Sequence, residues 1–229
     1  MIFRQIFDVT TSSYTYLIGC EDSKEAVIID PVNTMVDAYT SLLCDLRLNL
    51  VSVIDTHVHA DHITGSCLLK IKTKCNYIMG YESKARCVDK KIQHDDIIHI
   101  GDLNIQALYT PGHTDDSYSF LMNDRVFTGD TLLIRGTGRT DFQNGNSYDQ
   151  YDSIFNKLFK LGEDVFVYPA HDYKGFTKST IGEEIKNNPR LQVKTAAEYA
   201  SIMNNLKLAK PKNIDIAVPA NLNCALNTM

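Results

Sequence analysis

One six-residue segment, His57-x-His59-x-Asp61-His62, constrains this chain more than any other part of it. It follows, after Asp55-Thr56, on the apolar run Val51-Ser52-Val53-Ile54, which reads as a buried strand. Residues two apart on an extended segment point to the same side, so His57 and His59 can reach one point. Asp61 and His62 can turn toward a neighbouring point. The chain holds only seven histidines, and five of them (His57, His59, His62, His113, His171) fall in three short segments. The second segment, Thr110-Pro111-Gly112-His113-Thr114, follows an alternating strand of Leu103, Ile105, Ala107 and Tyr109. The third, Pro169-Ala170-His171-Asp172, follows the apolar run Val165–Tyr168. A fourth, Thr128-Gly129-Asp130-Thr131, follows Arg125–Phe127. Loops at strand ends can converge on one side of a sheet, where α/β proteins place their ligands.

Clustered imidazoles and carboxylates are metal chemistry, and they suit zinc, iron or manganese better than calcium. The plain alternative is that these are capping and solvent-facing polar residues, which such a dense cluster makes improbable. His113 or His171 alone would carry little weight, and each takes its weight from the first cluster. His94 and His99 have no such neighbours and read as surface or packing residues. Gly136-Thr137-Gly138 lacks the third glycine of a dinucleotide loop and the Lys of a phosphate loop.

The remaining pattern interleaves strands and helices. The N-terminal stretch Met1–Asp8, Tyr14–Ile18 and Ala26–Asp30 read as strands, the last two around a turn at Glu21-Asp22-Ser23. Met35, Tyr39, Leu42, Leu43 and Leu46 have helical spacing, and a second helix is expected after His62 through Leu68-Leu69. Tyr118–Met122 and Arg125–Phe127 predict a hairpin around Asn123-Asp124. Tyr151, Ile154, Phe155, Leu158 and Phe159 form a helical stripe. Val193, Ala196, Ala197, Ala200 and Met203 predict a last long helix, and the tail from Pro211 reads as extended. The polar stretch 81–96 is left without assigned elements. An α/β chain with mixed sheets and helices on the outside follows. No composition break marks a linker, so residues 1–229 are expected to form one domain.

Charge and cysteines narrow the function class. A formal net charge of −5 argues against a nucleic-acid surface, and no apolar run is long enough to span a membrane. The six cysteines (Cys20, Cys44, Cys67, Cys75, Cys87, Cys224) form no CxxC pair and are irregularly spaced. Reduced thiols are expected rather than a disulfide framework, with Cys224 structural. The N-terminus has no signal-peptide pattern, so the cytoplasm, or a mature chain already trimmed, is the expected setting.

In order and spacing, His57-x-His59-x-Asp61-His62, Gly112-His113, Gly129-Asp130 and His171 resemble the metallo-β-lactamase superfamily. That resemblance implies an αββα sandwich of two mixed β-sheets with helices on the outer faces. Longer runs narrow it: His59–Ser66, Phe127–Gln143, Tyr168–Tyr173, Asn188–Leu191 and Ile214–Asn221 resemble the persulfide dioxygenases. The likeness covers about Thr56 to Cys224. It implies one Fe(II) per chain held by His57, His113 and Asp130, a two-histidine, one-carboxylate set associated with iron oxygenases. His59, Asp61, His62 and His171 match positions that bind a second metal in the superfamily's hydrolases. In this group they would instead support the ligands through hydrogen bonds.

The implied reaction is oxidation of glutathione persulfide by O₂ to sulfite and glutathione. Arg190 and Tyr173 match glutathione-contacting positions, and Arg139 and Lys174 are further substrate-binding candidates. For Arg139 an ion pair with Asp141 is an equal alternative. Val58 and Thr137 stand where relatives often carry cysteine, which puts regulation through those thiols in doubt. Members of the group are often dimers, so a homodimer is an allowed assembly, with no interface patch legible. The alternative reading is glyoxalase II, a hydroxyacylglutathione thioester hydrolase that uses two metals and a metal-bound hydroxide. Arg139–Gln143, His171-Asp172-Tyr173 and Ala217–Asn221 stand against it. A catalytically silent metal- or glutathione-binding module is a third reading, opposed by retention of every ligand.

Overall fold

A computed structural model describes residues 1–224, which group into two compact units. The first unit comprises residues 1–92, 97–105 and the chain from Lys210 on. Its sheet runs in the order β1 (Ile2–Asp8), β2 (Ser13–Gly19), β3 (Glu25–Ile29), β4 (Asn49–Ile54), β5 (Asn76–Gly80), β6 (Lys90–Ile92). β1, β2 and β3 pair antiparallel, whereas β3–β4, β4–β5 and β5–β6 are parallel. Parallel neighbours need a crossover. Two of these carry helices: α1 (Val36–Asp45) between β3 and β4, and α2 (Ser66–Thr73) between β4 and β5. Tyr39 and Leu43 of α1 and Leu69 of α2 join Leu17, Ile28, Val53 and Tyr77 of the sheet in one buried core.

The second unit comprises residues 93–96 and 106–209. A second six-stranded sheet has the order β12 (Ser179–Thr180), β11 (Phe166–Pro169), β10 (Arg125–Gly129), β9 (Tyr118–Leu121), β8 (Leu103–Tyr109), β7 (Ile97–Ile100). β7 and the first residues of β8 belong to the first unit. The β9–β10 hairpin turns at Asn123-Asp124, where Met122 and Arg125 exchange backbone hydrogen bonds. β10–β11 is the parallel pair. The helices are α3 (Ser147–Asp152), α4 (Ile181–Asn187) and α5 (Ala196–Asn204). Ile154, Leu158, Val126, Val167, Ile181 and Tyr199 form this unit's core. The stripe from Tyr151 to Phe159 is helical, but α3 widens into a π turn at Ser153–Lys157 and tightens at Leu158–Lys160.

Three expectations are corrected. The stretch 81–96 contains a short strand, β6, too polar to declare itself. The tail is not extended, because residues Ile214–Leu222 form a sixth helix, α6. Pro219 inside it offers no backbone N–H. Burial of Ile214, Ala217, Ala220 and Asn221 overrides that local cost. The last five residues of the expected tail, 225–229, lie outside the described residues. Finally, Cys87 and Cys224 form a disulfide across 137 residues of sequence, while Cys20, Cys44, Cys67 and Cys75 are free. Irregular spacing hid the pair, since α6 must fold back before the two sulfurs meet.

Candidate metal centre

The first unit carries the histidine loop. It leaves β4 at Ile54 and reaches α2 at Ser66. Two buried carboxylates fix its entry. Asp30, at the end of β3, accepts hydrogen bonds from the Thr56 N–H (2.7 Å) and Thr56 hydroxyl (3.0 Å). Its Oδ1 also lies 3.1 Å from His59 Nε2. Burial pushes the Asp30 carboxyl up to about 6, against the pull of His57 and Thr56. Asp55 accepts from Thr64 Oγ1 and Ser66 Oγ (both 2.9 Å) and from the Tyr77 hydroxyl (2.6 Å). Burial raises its carboxyl as well.

These anchors leave the loop's imidazoles grouped. The His57 and His59 rings lie 4.3 Å apart and those of His59 and His62 4.4 Å apart. His57 Nδ1 lies 2.9 Å from the Thr56 hydroxyl. Ligand atoms of His59, Asp61 and His62 lie within 4.8 Å of one another. His62 Nδ1 is 2.8 Å from Asp61 Oδ2, whereas its Nε2 is buried with no hydrogen-bond partner. A buried imidazole nitrogen without a partner is costly in an empty protein and natural beside a metal ion.

The second unit carries His113, Asp130 and His171. The His113 Nδ1 lies 2.7 Å from the Arg139 carbonyl. A carbonyl only accepts, so this contact makes Nδ1 the protonated nitrogen and Nε2 the lone-pair donor. That Nε2 is 3.6 Å from Asp130 Oδ2, and His171 Nδ1 is 2.7 Å from Asp130 Oδ1. One carboxylate oxygen is thus held by His171 and the other faces His113. The two together present a ready imidazole–carboxylate pair.

Gly112 and Gly138 permit this closeness. Gly112 has φ +138°, and a Cβ there would meet Gln150 at 2.3 Å. A Cβ at Gly138 would lie 2.2 Å from the Asp130 carbonyl and 2.8 Å from His113 Nδ1. Gln150 and Tyr199, which carry no sequence signal of function, frame the same loop. Gln150 Nε2 donates to the carbonyls of Thr131 (3.3 Å) and Gly138 (3.2 Å). The Tyr199 hydroxyl lies 2.7 Å from Gln150 Oε1 and 2.9 Å from Thr137 Oγ1.

The substrate-binding candidates differ in state. Arg190 is half-buried, and its Nη1 donates to the Thr137 carbonyl. Tyr173 is exposed and stacks on His171, with centroids 5.9 Å apart. Lys174 is exposed, and its backbone N–H donates to Asp172 (2.8 Å). Arg139 makes the ion pair weighed as its alternative, a two-pronged contact with Asp141 at 2.6 and 2.7 Å. Its Nη1 also donates to the Ala209 carbonyl (2.6 Å). His94 and His99 are exposed and stand apart, His99 bonding to Asn104.

Residues 9–171 match the family model of the metallo-beta-lactamase superfamily. The mitochondrial persulfide dioxygenase ETHE1 of Homo sapiens is 44% identical over 231 residues, covering 100% of this chain and 90% of that protein. A hydroxyacylglutathione hydrolase of Dictyostelium discoideum is 33% identical over 175 residues, covering 72% of this chain and 64% of that protein. The crystal structure of ETHE1 from Myxococcus xanthus superposes with a TM-score of 0.96 at 52% identity, covering 98% of this chain and 99% of that one. The two mixed sheets with their helices therefore have the metallo-β-lactamase fold. No helix among the described residues is long and apolar enough to cross a membrane.

Proposed function

The chain belongs to the persulfide dioxygenases of the metallo-beta-lactamase superfamily, and we propose on that premise that it oxidises glutathione persulfide with O₂ to sulfite and glutathione. The observation that carries this reading is the 44% identity to a persulfide dioxygenase along the whole chain, where hydroxyacylglutathione hydrolases reach 32–34%. In this proposal one Fe(II) is held by His57, His113 and Asp130, and the two units act as one domain, 1–229. The donor set fits: two imidazoles and one carboxylate suit iron and leave positions for other ligands. His113 has its lone-pair nitrogen selected by the Arg139 carbonyl, and Asp130 has one oxygen held by His171. Fe(II) bound there supplies the redox chemistry between the persulfide's outer sulfur and O₂.

The chain's own residues do the rest. His171 holds Asp130 in one rotamer, so the carboxylate does not swing away when substrate enters. His59, Asp61 and His62 support His57 from the same loop. Arg190 and Tyr173 meet the glutathione moiety, Arg190 gripping a carboxylate and Tyr173 lending an exposed ring. Lys174 adds a cation nearby in sequence. Arg139, tied to Asp141, shapes the Gly138–Phe142 loop. The test is metal analysis with oxygen uptake. One iron per chain and O₂ consumption only with glutathione persulfide are expected. Two zincs per chain with thioester hydrolysis would overturn the reading in favour of the hydrolase.

A further inference from the structure

Helix α6 does something the ligand set does not explain. It lies against the histidine loop and holds that loop's backbone at four points. Asn213, the residue before the helix, donates from Nδ2 to the Asp61 carbonyl at 2.7 Å. Asn221, 3% exposed, donates from Nδ2 to the carbonyls of both His59 and His62, each at 2.9 Å. Its Oδ1 accepts from the Thr64 N–H at 2.9 Å. One side-chain amide therefore satisfies three backbone groups of the loop, across 157 to 162 residues of sequence. Buried backbone polar groups need partners, so this amide defines the loop's path.

The helix is itself tied down. The Arg86 N–H donates to the Leu222 carbonyl at 3.1 Å, and the next residue, Cys87, is disulfide-bonded to Cys224. Cys67 of α2 has its sulfur within 4.8 Å of that pair. Burial pushes the Cys67 thiol up to about 11, so it stays protonated and does not attack the disulfide at neutral pH.

We propose that Asn221 is a positioning residue for the metal-binding histidine loop, and that the Cys87–Cys224 disulfide locks the helix that presents it. The chemistry of release is thiol–disulfide exchange with a low-molecular-weight thiol. Cys87 is partly exposed and Cys224 buried, so attack falls on the Cys87 sulfur. A thiolate bonds to Cys87, and Cys224 leaves as thiolate and takes a proton. A second thiol then displaces Cys87, yielding one small-molecule disulfide and two protein thiols. Two electrons pass from the small thiols to the protein. The reduced helix keeps its hydrogen bonds but loses its covalent stop, and the loop opens more often.

The part that concerns metal rests on reading the loop as metal-binding, and the test separates the two. Hydrogen exchange at the Thr64 amide reads Asn221 directly and needs no metal. In Asn221→Ala, Thr64 exchange is expected to rise about tenfold, and iron release to a competing chelator to quicken. The comparison variant is Val218→Ala, which loosens α6 packing without touching the amide. Equal acceleration in both variants, or none in Asn221→Ala, would refute the positioning role. For the lock, purified oxidised protein denatured without reductant is expected to show four thiols, and six after phosphine reduction. Reduction should speed Thr64 exchange in the wild type and leave Cys87→Ser unchanged. Six thiols before reduction, or exchange insensitive to it, would refute the lock. A wild type that holds no iron, yet shows these exchange effects, would refute the metal reading alone.

Discussion

Replacing Tyr199 by Phe removes one oxygen atom from a fully buried side chain. The ring stays, so the core of Ile154, Leu158 and Met203 keeps its packing and no cavity forms. What is lost is the hydroxyl between Gln150 Oε1 (2.7 Å) and Thr137 Oγ1 (2.9 Å). The threonine oxygen retains the Met203 sulfur at 3.6 Å. The Gln150 carbonyl loses a short bond inside the protein, and an abandoned buried acceptor costs about 1–3 kcal/mol. At this chain length each kcal/mol moves the melting temperature by about 2–4 °C, so a drop of about 2–12 °C is expected. Urea unfolding followed by circular dichroism measures the free energy, and Gln150→Met completes a double-mutant cycle. The coupling should exceed about 0.5 kcal/mol, since both partners share one buried contact. A loss under about 0.5 kcal/mol in Tyr199→Phe, or additive variants, would show that the hydroxyl does not organise this loop.

Asp130→Ala is expected to lose iron and activity together, because the carboxylate is the proposed ligand and the partner of His171; full iron in that variant would remove Asp130 from the proposed ligand set. Arg190→Ala should raise KM more than it lowers kcat, with unchanged kinetics as the contrary result. Arg139→Ala should cost less than about 1 kcal/mol at neutral pH, because Asp141 is largely solvent-exposed and the pair is screened. Arg139 holds the Asp141 carboxyl below its ordinary value, so the pair's contribution is present above that value and fades as pH falls through the depressed one. The gap between wild type and Arg139→Ala should therefore narrow as pH falls, the bond to the Ala209 carbonyl being independent of pH, and a gap that does not shrink would refute the ion-pair account. Iodoacetamide at neutral pH should modify exposed Cys44 and spare Cys67, whose thiol burial holds protonated, as peptide mass mapping would show.

The candidate ligand residues were legible because their signal is local. Two histidines two residues apart, a glycine before a histidine and a glycine before an aspartate each declare themselves within a few positions. Strands β2, β3, β4 and β8 were legible for the same reason, since alternation and short apolar runs are properties of neighbours. The supports that lie outside the histidine segments were not. Asp30 lies 26 residues from Thr56 and Asn221 lies 162 from His59, and nothing near either residue marks it as a partner.

Local preference even pointed the wrong way at α6. Its flanking prolines and asparagines read as extended chain, and Pro219 weakens a helix. Burying Ile214, Ala217 and Ala220 outweighs that. The Cys87–Cys224 bond escaped for a related reason: 137 residues separate two cysteines that become neighbours only when α6 closes on the loop. The sequence by itself therefore determined which side chains are candidates for holding a metal and which strands carry them. The tertiary structure decided which nitrogen of His113 bears the proton, which oxygen of Asp130 is held, and what keeps the histidine loop in place. Those choices depend on hydrogen bonds between groups distant along the chain, and only folding brings such groups within 3 Å.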